Sequence, residues 1–160
     1  QRVHAQAAVV RDGGQAGEVR RAFRLDRGVF LKLPKMYAVE TINKFKENGD
    51  MIYLITARIP SKKFNVEEET KKWLEKYNIK YDKLVINSQD KVKVAKENNI
   101  EIFVDDSIKN CVQMSNSKIK TYIMDSIINK EFEDKNIKRV YSWPHLYREI
   151  ERDKYKGGIA

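Results

Sequence analysis

Short apolar runs that each end in polar residues constrain this chain more than any other feature it has. "MIYLITARIP" (51–60), "EIFVDD" (101–106) and "IKTYIMD" (119–125) are continuous stretches rich in β-branched and aromatic residues. That pattern belongs to strands buried on both faces, not to strands with one wet side. Helical periodicity fills the intervals. Ala38, Ile42 and Phe45 share one helical face, and Asn48-Gly49 supplies a stop. Asn65, with Glu68 three residues on, reads as a cap for a stripe of Val66, Thr70, Trp73, Leu74 and Tyr77. "YDKLVIN" reads as a further short strand, and Ser88 is expected to cap a helix running through Val92 and Ala95 to Asn98-Asn99. Ser107 opens a short helix with Cys111 on its inner stripe, and "IKRVYSW" and "PHLYREIERD" read as a last strand and closing helix. Alternation of this kind predicts a three-layer α/β fold with a mostly parallel sheet. The strands near 51–57, 101–105 and 119–124 are expected to be adjacent and parallel.

Composition shifts once along the chain. Residues 1–28 contain six arginines and no lysine, whereas residues 29–160 contain 22 lysines and four arginines. Charge sign does not change, being +3 (6 minus 3) in the first part and +6 (26 minus 20) in the second. The expected organisation is an atypical N-terminal segment over 1–28, whether arm, replaced region or appended piece, then one α/β domain over 29–155 and a tail over 156–160. A degenerate first strand of the same domain is the other reading of residues 1–28. The net charge of +9 favours anionic partners. No apolar run approaches the roughly 20 residues of a membrane span. A single cysteine excludes an intrachain disulfide framework, and the first residues lack the apolar core of a signal peptide. A cytoplasmic setting is therefore expected; oligomeric state is left open.

In open parallel sheets ligands bind beyond the carboxyl ends of the strands. Three such places carry chemistry here. Thr56, followed by Ala57 and Arg58, brings a hydroxyl and a guanidinium to the end of one strand. Lys91 offers a point charge in the first turn of a helix. Asp105 and Asp106 end another strand, where two adjacent carboxylates are costly unless they meet a cation. Oxygen-only ligands suit magnesium better than zinc. Each element alone has an ordinary explanation, as a turn cap, a solvated lysine or a helix N-terminal pair; their order in strand context points to a magnesium-bound phosphoryl group. His4 and His145 have no partner motif, and Trp73 and Trp143 read as core anchors.

A strand ending in Thr, a Lys opening a later helix and a strand ending in Asp-Asp resemble motifs two to four of the haloacid dehalogenase (HAD) superfamily. The resemblance covers roughly residues 31–152. "ITARIPSKKFNVEEETKKWLEKYNIKYDKLVIN" and "DKVKVAKENNIEIFVDDSIKN" are similar to its 5′-nucleotidase and deoxyribonucleotidase-like branch, as are "YIMDSIINK" and "IKRVYSW". Polynucleotide phosphatases share a similar Thr-Ala-Arg segment. The resemblance implies a Rossmannoid fold with little or no cap and a phosphomonoesterase that works through an aspartyl-phosphate. Carried over, Thr56 holds the phosphoryl group with Ala57 and Arg58 beside it, Lys91 neutralises its charge, and Asp105 and Asp106 bind Mg2+. The family's first motif, Asp-x-Asp after a hydrophobic strand, occurs nowhere in the 160 residues. "AAVVRDGG" has Val10 at the nucleophile's place, and "RLDRGVF" has Leu25 and Arg27 where the two aspartates belong. The expected function is a nucleotidase-type phosphohydrolase scaffold acting on small phosphorylated substrates, weakly active or inactive as it stands. The alternatives are a non-catalytic phosphate- or nucleotide-binding module, or a relative acting on nucleic-acid ends.

Overall fold

The computed structural model describes residues 5–11, 19–25, 34–56, 62, 65–86 and 90–156. Its strands are β1 (Ala5–Arg11), β2 (Val19–Leu25), β3 (Met51–Ile55), β4 (Lys83–Val85), β5 (Ile102–Asp105), β6 (Lys120–Met124) and β7 (Ile137–Val140). Its helices are α1 (Ala38–Glu47), α2 (Val66–Lys76), α3 (Lys91–Glu97), α4 (Ile108–Asn116) and α5 (Trp143–Lys156). The sheet order is β4-β3-β2-β1-β5-β6-β7, and β2 also pairs with β5. The β2–β3, β3–β4, β2–β5, β5–β6 and β6–β7 pairings are parallel. β1 runs against both β2 and β5. Among the described strands, every one but β1 therefore points the same way.

Helices cover both faces, which makes three layers. Strand residues alternate between the two sides. Ile52 and Leu54 of β3, Val104 of β5, Tyr122 and Met124 of β6 and Val140 of β7 pack with α1, α2 and α5. Tyr53, Ile55, Phe103, Ile123 and Ile137 pack on the other side with Ala95 of α3 and Cys111 and Met114 of α4. Both faces of these strands are buried, which is why the sequence shows continuous apolar runs. Trp73 and Trp143 lie in the first of these cores, as expected. No described helix is long and apolar enough to cross a membrane.

Local signals account for the helix boundaries. The Asn65 side chain accepts the Glu68 N–H at 3.1 Å and caps α2. Ser107 Oγ accepts the Asn110 N–H at 3.3 Å and caps α4. Gly49, after α1, has a φ of 88°, where a side chain would be strained. Two expectations need correcting. The cap of α3 is Asp90, whose carboxylate accepts the Lys93 N–H at 2.9 Å; Ser88 lies outside the described residues. The expected side-by-side placement of three strands holds for β5 and β6, but the β1–β2 hairpin separates β3 from β5. Strands β1 and β2 come from the arginine-containing stretch before residue 29, where the one short apolar run is Ala7–Val10 and arginines interrupt the rest.

Candidate functional site

Because β3, β5 and β6 share one direction, the residues that follow them emerge at one rim of the sheet. These are Thr56 after β3, Asp105 and Asp106 at the end of β5, and Asp125 after β6. α3 follows the neighbouring parallel strand β4, so its first residue, Lys91, opens at the same rim. Thr56 is fully buried, and its N–H donates to the Val85 carbonyl at 2.9 Å, which prolongs the β3–β4 pairing past the strand end.

The β5 end is polar and buried. Asp105 is 0% exposed, Asp106 5% and Lys91 9%. One Asp105 carboxylate oxygen accepts the Ser107 N–H at 2.6 Å and the other accepts the Asn110 side-chain amide at 2.8 Å. Burial of charge at this density requires compensation. Burial pushes the Cys111 thiol up, Asp105 and Asp106 push it further, and a hydrogen bond to the Asp105 backbone and the charge of Lys91 pull it partly back. Lys91, Asp105 and Asp106 therefore all lie within electrostatic reach of the Cys111 thiol. Of the residues singled out from sequence, Thr56, Lys91, Asp105 and Asp106 come to this rim, while Ala57 and Arg58 lie outside the described residues.

Three further residues of the rim are not singled out as site residues in the sequence, although Asn129 and Arg139 lie in the segments "YIMDSIINK" and "IKRVYSW" that carry the family resemblance. Asn110 holds the Asp105 carboxylate from the first turn of α4. Asn129 donates through Nδ2 to the Asp106 and Met124 carbonyls, both at 2.8 Å. Arg139, on β7, donates through Nη1 to Asp125 and to Asn129 Oδ1, both at 2.7 Å. The spacing from Ser107 to Asn110 and from Ser126 to Asn129 is that of a helix cap, which is the one local clue. A cavity of about 470 Å³ lies along β7, lined by Phe132, Asp134, Arg139 and Tyr141 among others; Thr56, Lys91 and Asp105 are not part of its wall.

Among the described residues there is no cluster of three or more His, Cys, Asp or Glu side chains that could hold a metal ion. Asp105 and Asp106 nevertheless fit a hard divalent cation. Magnesium is commonly bound through one or two carboxylates, with water and substrate phosphate completing its shell. Two buried, adjacent carboxylates at a strand end are a donor set of that size. A hydroxyl, an ammonium and this carboxylate pair on one rim can between them surround a phosphoryl group.

Over 112 residues the chain is 29% identical to a nucleotidase of Clostridium acetobutylicum, a match covering 69% of this chain and 56% of that protein. A Bacillus subtilis protein matches at 27% over 121 residues, 74% of this chain and 60% of its own length. A Halalkalibacterium halodurans protein matches at 27% over 106 residues, 65% of this chain and 52% of its own length. Both are named provisionally as nucleotidases. The chain spans little more than half the length of the curated relatives it matches. No protein-family model matches it.

Proposed function

We propose that this chain carries the phosphoryl-binding apparatus of a nucleotidase of the HAD type, which acts on nucleoside monophosphates or similar small phosphomonoesters. The observation that supports this most is the sharing of one rim by Thr56, Lys91, Asp105 and Asp106, in a chain similar to proteins named nucleotidases.

On this reading the Thr56 hydroxyl donates to a phosphoryl oxygen and the Lys91 ammonium offsets the charge of the group in flight. Asp105 and Asp106 hold magnesium, which when bound neutralises phosphate charge and fixes its orientation. Asn110 and the Ser107 N–H keep the Asp105 carboxylate in place. Phosphoryl transfer asks mainly for this sort of positioning and neutralisation. It also needs a nucleophile and a proton donor for the leaving alcohol, the two tasks of the Asp-x-Asp that the 160 residues lack. That absence favours a second reading, a site that binds phosphate without turnover.

Calorimetric titration with a nucleoside monophosphate and Mg2+ tests the binding reading. Binding should weaken in Thr56→Val and Lys91→Ala and as salt rises, because exposed phosphate charge is screened. Affinity indifferent to both substitutions would remove the rim from consideration. A 5′-phosphorylated oligonucleotide that bound tighter than the free nucleotide would move the reading toward nucleic-acid ends.

A further inference from the structure

The turn that follows β6 inverts the usual rule of burial. Ile127 is 94% exposed and Ile128 71%, while the asparagine beside them, Asn129, is 1% exposed. Isoleucine is among the residues most often buried, and asparagine is mostly exposed. The Asn129 side chain uses its full hydrogen-bonding capacity. Nδ2 donates to the Asp106 and Met124 carbonyls at 2.8 Å, and Oδ1 accepts the Ser126 N–H at 3.1 Å and Arg139 Nη1 at 2.7 Å. Arg139 also grips the turn from β7, with Nη2 donating to the Asn129 carbonyl at 2.8 Å and to the Phe132 carbonyl at 2.5 Å.

We infer that Asn129, clamped by Arg139, is a positioning residue that sets the geometry of the Asp105–Asp106 carboxylates through the peptide between Asp106 and Ser107. The Asp106 carbonyl and the Ser107 N–H belong to one rigid planar unit. Asn129 holds its oxygen, and an Asp105 carboxylate oxygen holds its N–H. Rotation of that peptide therefore loosens the Asp105 carboxylate and swings the Asp106 side chain together. Arg139 and Asn129 thereby join the ends of β5, β6 and β7 into one frame behind the carboxylates. The inference rests on the proposed reading of Asp105 and Asp106 as metal-binding groups, although the clamp itself can be tested without metal.

Mn2+ serves as the probe, with the free ion measured by electron paramagnetic resonance on the 160-residue chain. Asn129→Asp keeps an acceptor for Ser126 and Arg139 but loses both donated bonds. Partners that orient metal ligands typically contribute about 10–100-fold to affinity, so Asn129→Asp and Asn129→Ala should weaken Mn2+ binding by at least about tenfold. Arg139→Lys should give a smaller loss and guards against an Asn129 variant that fails to fold. A lowered melting temperature with unchanged Mn2+ affinity of the folded protein would mean that Asn129 only caps its turn, and would overturn the inference. Amide hydrogen exchange without metal gives the second readout. Faster exchange at Ser107, with Ile123 in β6 still protected, supports the clamp; unchanged exchange at Ser107 overturns it. If Mn2+ fails to bind, or binds equally well to Asp105→Asn, the metal reading of the rim is wrong, and the exchange result still decides the clamp.

Discussion

Lys91 occupies a place that suits a cation poorly, since the first turn of a helix carries the positive end of the helix dipole. It is also nearly buried. The Asp105 and Asp106 carboxylates, of opposite charge, are buried at the same rim. Lys91→Met should leave those buried carboxylates short of a cation and cost about 1–3 kcal/mol in urea unfolding at neutral pH. Added Mg2+ should then raise the melting temperature more in the variant than in the parent, because a ligand that binds only the folded state stabilises it. Equal Mg2+ responses would separate Lys91 from the carboxylates. Cys111 reports on the same charges from a buried position. Only the thiolate reacts, and burial together with Asp105 and Asp106 holds this thiol far above its ordinary range. Disulfide reagents at pH 8 should therefore label Cys111 only as fast as the protein opens. Rapid labelling under native conditions would contradict the buried placement.

At the scale of elements, caps and ion pairs carry the testable energetics. Asn65→Ala and Asp90→Ala each remove an observed cap bond and should cost about 1 kcal/mol. β7 and α5 are tied by Lys138, which contacts Glu149 at 3.0 Å and Asp153 at 3.1 Å. The hydrogen bond from Lys138 holds Glu149 below its ordinary range. Burial alone would raise Asp153, but hydrogen bonds from Tyr122 and Lys138 outweigh it and lower the carboxyl. Lowered carboxyls contribute stability that is present above their unfolded values, near 4.5 and 3.8, and is lost as pH falls through the folded ones. The melting temperature of Lys138→Met should therefore fall less steeply than that of the parent between pH 5 and pH 3. Parallel profiles would mean that the pairs contribute nothing. Much of this level was legible beforehand. β3, β5 and β6 are buried on both faces and so appear as unbroken apolar text, and Asn65 and Ser107 cap where their spacing predicts. β2 was harder, since "VRRAFRL" carries three arginines through a central strand. Asn129 was legible only in part. The Ser126-to-Asn129 spacing marks a capped turn, but the bond to Asp106 spans 23 residues and no local pattern shows it.

Taken whole, the molecule joins a net charge of +9 to a polar rim that holds a hydroxyl, an ammonium and two carboxylates. Such a field concentrates phosphates near the protein but does not break a phosphorus–oxygen bond by itself. Charge stabilisation is one catalytic contribution. General acid catalysis supplies typically about 10²–10⁴-fold more, and a covalent nucleophile divides one difficult step into two. No Asp-x-Asp exists in the 160 residues to provide either. The chain alone should hydrolyse nucleoside monophosphates or an aryl phosphate at close to the background rate, in the presence or absence of Mg2+. Fusion of a hydrophobic strand ending in Asp-x-Asp to residue 29, in place of the β1 and β2 that fill the sheet between β3 and β5, should raise Mg2+-dependent turnover by orders of magnitude, with phosphate released and the nucleoside as the other product. Lys91→Ala should remove most of that gain, since the phosphoryl charge would lose its counter-charge. Thr56→Val should lower turnover through loss of one donated hydrogen bond. Strong Mg2+-dependent activity from the chain without the fusion would assign the nucleophile to a carboxylate already present, with Asp12 and Asp26 the first to substitute. A fusion that folds, binds phosphate and still turns nothing over would instead favour a binding module.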